Sequence, residues 1–347
     1  MLGGAIVCCA SAPDAAATTA ADTTTAGPDV APAPPARPSV RVRGLAYLDY
    51  SYTVSSPDGE VGDNTFDYRR LYLTVDGDLG DGFSARARLE AQGSSTTARG
   101  RPAPFVKDVW VRWDGAILDG HRLTLGVQPP PIIDLPESVW GYRSLDRTIL
   151  DRVKANDSRD FGLRADGPIS RGGTLRYSAM VANGNGLRPE DEGERGKHLY
   201  GRLSVHPEGP LVASLQADYT RFTEDDDTRH HSWKSSAFVG VETERFHGGV
   251  EAFLQETTLN EGEGDPTGGA GVSVFGTVAT GPKTAVVARY DFVEADAARL
   301  DEDESYALAE FVYRPTPRVA IMPNGVLTKT PGADPHAEAR LTVHVTF

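Results

Sequence analysis

Arginine is the residue type whose number and spacing in this chain point to chemistry. Of the 35 basic residues, six are lysine and 29 are arginine. Many arginines sit at alternate positions in apolar stretches, as in Arg86-Ala-Arg88. A guanidinium group stays charged at physiological pH and binds carboxylate or phosphate through two parallel hydrogen bonds. The pattern therefore indicates a fixed positive surface that contacts anions without reacting with them.

Catalytic chemistry has weaker support in the sequence. A hydrolase site needs a nucleophile, a histidine and an acid at one place. His247 and Glu251 are four residues apart, but no serine context marks a nucleophile. No glycine-rich phosphate loop, paired cysteine ligands or HExxH motif occurs. We expect no catalytic residue, cofactor or metal, with a membrane-barrel enzyme as the alternative.

The arginines lie in segments where apolar and polar residues alternate. A period of two places successive side chains on opposite faces of a β-strand. About sixteen such segments of roughly ten residues follow one another, and no window shows a convincing helical period. The predicted strands are 40–54, 66–78, 83–92, 105–114, 121–128, 159–166, 174–183, 198–206, 211–222, 233–243, 246–257, 270–280, 284–294, 305–314, 318–328 and 337–347.

The connections between these segments alternate in length. Short turns rich in Gly and Pro, such as 115–120 and 207–210, alternate with long polar loops such as 55–65 and 223–232. This is typical of an outer-membrane barrel whose turns face the periplasm and whose loops face outside. The sequence predicts an all-β fold over residues 39–347: a transmembrane antiparallel up-and-down β-barrel of about sixteen strands. We expect it in the outer membrane of a Gram-negative bacterium, in contact with lipid and lipopolysaccharide.

The membrane decides which face of each strand turns inward. Apolar sets such as Leu71, Leu73 and Val75 suit lipid, which leaves the charged side chains for the lumen. An arginine facing lipid at mid-membrane costs about 2–4 kcal/mol, so energy and periodicity agree. The predicted pore-lining residues are Arg70, Arg86, Arg88, Arg112, Arg122, Arg164, Arg176, Arg202, Arg289 and Arg340.

The last predicted strand carries a specific signal. Leu341, Val343, Val345 and the terminal Phe347 fall on one face, with polar residues between them. An aromatic residue at the end of a barrel strand sits at the membrane interface. The pattern resembles the C-terminal signal read by the bacterial barrel-assembly machinery, which we therefore expect as a partner.

Two N-terminal segments precede the predicted barrel. Residues 1–17 resemble the end of a signal peptide, with a small-x-small site at 10–12, although no basic residue precedes the apolar stretch. Both cysteines, Cys8 and Cys9, lie here, and a lipoprotein attached through one of them is the alternative. Residues 18–38 are mostly Ala, Thr and Pro, which predicts a disordered leader.

The longest connection, residues 129–158, contains apolar and aromatic residues such as Ile132, Trp140 and Leu150. A structureless loop of this length is uncommon unless it has a function. Because it carries much apolar surface, we expect it to fold into the barrel and constrict the pore. Packing against a neighbouring subunit is the alternative. Its predicted constriction residues are Arg143, Arg147, Arg152 and Lys154.

Five motifs, in order, resemble the phosphate-selective porin family of Gram-negative bacteria. They are FDYRRL at 66–71, LGVQPP at 125–130, RDFG at 159–162, NGNG at 183–186 and YRPTP at 313–317. The resemblance spans about residues 40–347 and implies a sixteen-stranded, usually trimeric, general or anion-preferring porin with its third external loop inside the barrel. Family members use a constriction lysine and a ladder of arginines on the wall; only Lys154 lies in the long connection.

The distribution of charge bears on the transported solute. The net charge of −14 argues against a nucleic-acid partner. Acidic residues concentrate in the loops near 190–194, 224–227, 261–265 and 301–304, as a solvated rim or as divalent-cation sites. The predicted lumen holds more arginine than acid. We therefore expect passive diffusion of small anionic or neutral solutes with a weak anion preference, phosphate being one candidate. A general or cation-preferring pore set by the acidic loops is the alternative.

Overall fold

The computed structural model describes residues 38–93, 102–187, 196–223, 229–259, 267–295 and 303–347. The predicted signal peptide, nearly all of the leader and most of the acidic loop residues lie outside these ranges, so those expectations stay predictions. The described residues form sixteen strands and two helices. The strands are β1 Ser39–Ser55, β2 Asn64–Gly80, β3 Phe83–Ala91, β4 Phe105–Asp114, β5 Arg122–Gln128, β6 Asp160–Pro168, β7 Leu175–Ala182, β8 His198–Val205, β9 Leu211–Thr223, β10 Arg229–Glu242, β11 Phe246–Leu259, β12 Thr267–Gly281, β13 Thr284–Ala295, β14 Glu304–Thr316, β15 Val319–Lys329 and β16 His336–Thr346; the helices are α1 Pro131–Trp140 and α2 Ile149–Arg152.

The strands form one closed antiparallel barrel. Each strand pairs with its neighbours in sequence, and β1 closes the sheet by pairing with β16. All sixteen predicted segments are strands in the predicted order; the largest difference is the start of β10, at Arg229 instead of 233. The predicted barrel fold is therefore confirmed. No helix in the described ranges is long and apolar enough to cross a membrane.

Alternation sorts the side chains as expected. On the outer face, Leu73, Leu125 and Val250 have exposed fractions of 46%, 55% and 45%. On the inner face, Glu90, Glu251 and Arg289 are at most 3% exposed. The apolar surface thus meets lipid and the polar surface lines the interior, which is the inverse of a water-soluble fold.

Two helices lie in the β5–β6 connection, where no helix was predicted. α1 begins with Pro131 at a helix start, where a missing N–H is tolerated, and ends at Gly141, whose φ of 68° is left-handed. Its buried residues include Ile132, Ile133, Val139 and Trp140. Its polar face is formed by Asp134, Glu137 and Ser138, but ten residues with Pro136 among them are too few for a helical period to stand out in the sequence.

The C-terminal residue completes the barrel seam. Phe347 N–H donates to the Gly44 carbonyl (3.0 Å), and Gly44 N–H donates to the Phe347 carbonyl (2.6 Å). A Cβ added to Gly44 would lie 2.2 Å from the Phe347 ring, so only glycine leaves room for that ring. Leu341 is 42% exposed on the outer face, beside half-buried Val343 and Val345. The terminal strand therefore has the geometry expected of the assembly signal, whose recognition stays a prediction.

Deleting Phe347 should reduce the yield of folded barrel without blocking export. The deletion removes two seam hydrogen bonds and the ring that covers Gly44. The measurement is the heat-modifiable folded form in outer-membrane fractions, with Phe347→Tyr as the control that keeps an aromatic ring. Wild-type yield from the deleted chain would show that this residue does not direct assembly.

Candidate functional site: the lumen and its constriction

The β5–β6 connection, residues 129–158, lies inside the barrel and is called the constriction loop below. Trp140 is fully buried, and its ring packs edge-on against Phe275 of β12 with centroids 5.1 Å apart. Tyr142 stacks on His247 of β11 at 5.9 Å. The loop's apolar side chains thus pack on an apolar part of the inner wall, which confirms the expected infolding.

Arginines of the wall hold the first part of the loop. Arg164 of β6 donates to the Pro129 carbonyl at 3.0 Å, and Arg202 of β8 donates to the Pro131 carbonyl at 2.8 Å. Both guanidinium groups also form salt bridges with Asp134 of α1. Charge-assisted bonds to carbonyls and carboxylates are among the stronger hydrogen bonds in proteins. These two side chains therefore fix where the loop enters the lumen.

A second set of contacts holds the later part of the loop. Arg289 of β13 donates to the Arg147 carbonyl and forms a salt bridge with Asp291 (2.7 Å), which also binds Arg152 (2.9 Å). Tyr306 of β14 donates to the Asp146 carboxylate at 2.7 Å. Burial raises the pKa of Asp146, but the Tyr306 hydrogen bond and the Arg289 charge outweigh it, so the pKa lies below its usual range. Asp146 is therefore ionised at neutral pH.

These contacts show where the structure places part of the predicted lining. Arg164, Arg202 and Arg289 face inward, where they bind the loop and its acids instead of standing free in the pore. Arg152, predicted at the constriction, turns to the wall and pairs with Asp291 and Glu304. Lys154 is exposed, with a φ of 57°, and forms no described salt bridge. The sequence could not separate these roles, because both need an inward arginine.

Two β-bulges turn additional charges inward. In β2, Tyr47 pairs with Arg70 and Leu48 pairs with Tyr68, so Arg69 has no partner on β1. In β4, Arg88 pairs with Asp108 and Leu89 pairs with Val106, so Lys107 is the extra residue. A bulge re-aims the side chain of the inserted residue. Arg69 and Lys107 therefore reach the interior beside Arg70 and Asp108.

Six charged residues on β2, β3 and β4 and immediately before β6 form what we call the constriction cluster. Arg70 and Lys107 pair with Glu90, the Lys107 Nζ at 3.1 Å. Arg88 and Arg159 pair with Asp108, the Arg88 Nη1 at 3.0 Å. Four cations thus share two carboxylates, which leaves a net charge of +2. Glu90 and Asp108 are almost fully buried, so this charge lies against a wall of low dielectric constant.

Four of the remaining predicted arginines line the wall towards the short turns, and Arg340 lies towards the long loops. Arg86 and Arg112 lie over the same Trp110 ring at 5.3 and 4.6 Å, and Arg86 pairs with Asp76 at 2.6 Å. Arg122 is 4.0 Å from exposed Asp114. Among the described residues, neither Arg112 nor Arg176 forms a salt bridge, and both are half-buried. Arg340 is neutralised by Glu338.

The constriction loop itself carries charges of both signs. Arg143 binds Glu137 and Asp151 at 2.7 and 2.8 Å, and Arg147 lies 3.5 Å from Asp151. Two cations and two carboxylates therefore cancel on the loop side. The excess positive charge of the constriction comes from the wall and not from the loop.

The described residues offer little for catalysis or metal binding. They contain no group of three His, Cys, Asp or Glu side chains suited to a metal ion. His247 stacks on Tyr142 of the loop, and Glu251 is almost fully buried. His247 and Glu251, the pair considered for an enzyme site, therefore face packed protein and not the open lumen.

A comparison of the sequence with protein families agrees with this architecture. Residues 4–327 match the family model described as Gram-negative porin. The chain belongs to the Gram-negative porin family. A barrel with a water-facing polar interior and this membership make the protein an outer-membrane channel. The match is to a broader family than the phosphate-selective one that the motifs resemble.

Solved structures share the porin fold at low sequence identity. An anion-selective porin from Comamonas acidovorans matches with a TM-score of 0.69 and 15% identity, over 90% of this chain and 100% of that chain. The channel DcaP of Acinetobacter baumannii has a TM-score of 0.67 and 13% identity, over 89% and 97%. A trimer form of OmpT of Vibrio cholerae has 0.63 and 12%, over 89% and 99%. No curated protein matches the sequence.

Replacing Leu135–Leu150 of the porin by a short Gly-Ser linker should raise single-channel conductance severalfold. The replacement removes the last six residues of α1 and the Arg143–Arg147 segment from the lumen, so the open cross-section grows. The measurement is current in a planar bilayer. The control is a shortened β1–β2 loop at 56–63, which should leave conductance at the wild-type value. Unchanged conductance in the folded deletion variant would mean that the loop does not limit the current.

Proposed function

We propose that this porin passes small hydrophilic solutes by passive diffusion, with a weak preference for anions. The observation that carries the proposal is the constriction cluster, where four cations share two carboxylates. A fixed charge at a narrow, low-dielectric wall acts on every passing ion, because field lines are focused there. Small anions and neutral solutes are therefore the expected cargo.

The wall extends the positive surface beyond the constriction. Arg112 and Arg176 form no salt bridge with described residues, and Arg86 and Arg122 retain partly exposed guanidinium groups. They lie on β3, β4, β5 and β7, on the side of the lumen that α1 leaves open, because α1 packs mainly against β8–β11. An anion leaving the constriction would meet these donors in turn.

The alternative is cation preference set by the acidic loops. Most of those residues lie outside the described ranges, and Glu304, one that is described, is bound to Arg152. Loop carboxylates more than about 10 Å from the aperture are screened at 0.1 M salt. A preference set by the loops should therefore fade as salt rises, whereas one set by the constriction should persist.

Phosphate is a candidate cargo and not the conclusion. The motifs that resemble the phosphate-selective porins support it. Lys107 of β4 also places a buried lysine at the constriction, whereas the loop lysine, Lys154, is exposed. Competition between phosphate and chloride for the channel distinguishes a phosphate site from general anion preference. We also propose that the porin has no enzymatic activity, since His247 and Glu251 face packed protein.

Replacing Arg86 and Arg88 together by Ser should reduce the anion preference. The change removes two positive charges from the lumen wall, one of them in the constriction cluster. The measurement is the reversal potential across a potassium chloride gradient at low and at 1 M salt. The matched control is Arg41→Ser with Arg318→Ser, two exposed arginines on the short-turn side.

The wild-type porin should be anion-selective at both salt concentrations. The double lumen variant should shift towards cation selectivity, and the control should follow the wild type. A cation-selective reversal potential of the wild type at 1 M salt would contradict the proposal and favour the acidic loops.

We propose a homotrimer as the functional form, in line with the trimer form of the Vibrio cholerae protein. The folded porin in detergent should have about three times the chain mass by light scattering with detergent correction, as expected for closed cyclic symmetry. Heating should convert it to monomer. A folded species of single-chain mass at all concentrations tested would refute the trimer.

A further inference from the structure

Arg69 connects the constriction loop to the barrel seam. Its side chain points inward only because it is the extra residue of the β2 bulge. Strict alternation would place Arg69 on the lipid face, beside Leu71. The bulge therefore turns the Arg69 side chain into the lumen, where a regular β2 strand would not place it.

The guanidinium group of Arg69 binds both the wall and the loop. Its Nε and Nη2 donate to the Asp49 carboxylate of β1 at 2.7 and 3.0 Å. Its Nη1 and Nη2 donate to the carbonyls of Leu145 and Ser144, both at 2.5 Å. These bonds use the forked donors of arginine in a way that the single ammonium group of lysine cannot reproduce.

The anchor for Arg69 is itself fixed across the seam. Asp49 and Thr342 are paired residues of β1 and β16, and the Thr342 hydroxyl donates to Asp49 at 2.5 Å. Thr342 is fully buried, and its hydroxyl also accepts from Asn324 at 3.2 Å. A continuous set of hydrogen bonds therefore runs from β15 and β16 through β1 and β2 to the loop.

Other polar contacts to loop residues 142–147 come from β13, β14 and β15. Arg289 of β13 binds the Arg147 carbonyl, Tyr306 of β14 binds Asp146, and Arg314 of β14 binds the Tyr142 hydroxyl. The Ser144 hydroxyl contacts the Met322 sulfur of β15 at 4.0 Å. Arg69 adds the contact from β2, so the segment is held from strands on both sides of the β1–β16 seam.

We propose that Arg69 is a positioning residue that holds segment 142–147 in place and thereby sets the aperture between the loop and the constriction cluster. The proposal rests on the protein acting as a channel. Because Asp49 neutralises its charge, Arg69 acts through the loop and contributes little to ion selectivity. Without it, the segment loses its contact with β2, keeps those with β13, β14 and β15, and gains freedom to move.

The test uses a thiol at Ser144, which is 3% exposed. Ser144→Cys is made with Cys8→Ser and Cys9→Ser, so that the new thiol is the only one. In this background, Arg69→Gln should speed labelling of folded protein by a water-soluble maleimide at least severalfold. In planar bilayers, Arg69→Gln should raise conductance roughly 1.5-fold and increase open-channel noise, since a mobile segment constricts less.

Two further variants separate position from charge. Arg43→Gln removes one arginine that pairs with Asp76 away from the loop, and it should match the wild type in labelling and conductance. Arg69→Lys keeps the positive charge but loses the forked hydrogen-bond donors of the guanidinium group. Its labelling rate should lie between those of the wild type and Arg69→Gln. Equal labelling and conductance for Arg69→Gln and Arg43→Gln would overturn the proposal.

The outcomes remain decisive if Arg69→Gln does not fold. Arg69→Lys and Asp49→Asn then take its place, and wild-type labelling in both would overturn the proposal. Absence of current from the wild-type protein would count against channel function alone, because labelling of Ser144→Cys tests the hydrogen bonds without any current.

Discussion

Backbone hydrogen bonding in a medium without water is the constraint on which this structure depends. Each N–H and C=O group that crosses hydrocarbon needs a partner within the protein, and a β-sheet meets that need only when it closes. Here closure occurs between β1 and β16, where Phe347 and Gly44 exchange two hydrogen bonds. Once the sheet is closed, every strand has one lipid face and one inner face, and most charged groups of the strands are directed to one shared interior.

That shared interior explains why arginine has two different roles. Arg164, Arg202 and Arg289 bind carbonyls and acids of the constriction loop and the wall, whereas Arg112 and Arg176 form no salt bridge with described residues. The loop brings polar backbone into a space where unsatisfied carbonyls cost free energy, and wall arginines supply the donors. Glu90 and Asp108 are each shared by two cations, so burial of these acids still leaves positive charge.

The sequence alone predicts the barrel well, because alternation is a local property that lipid and water enforce on every strand. It also identifies the loop at 129–158, whose Ile132 and Trp140 need burial. It does not predict α1, whose ten residues include Pro136 and are too few to show a helical period. It also misses Arg69 and Lys107, because an extra residue in one strand breaks the two-residue period. Adjacent charges, Arg69-Arg70 and Lys107-Asp108, were the available signal for these bulges.

The two bulges also show that the inner and outer faces of a barrel can change independently. One additional residue in β2 or β4 adds a charge to the interior while Leu71, Leu73, Val109 and Val111 keep their contact with lipid. A bulge is thus a way to add an interior charge without exchanging a side chain that already lines the wall, and the lipid-facing pattern continues on both sides of it. The charge of the interior and the apolar period of the exterior are therefore set by separate features of the same strand.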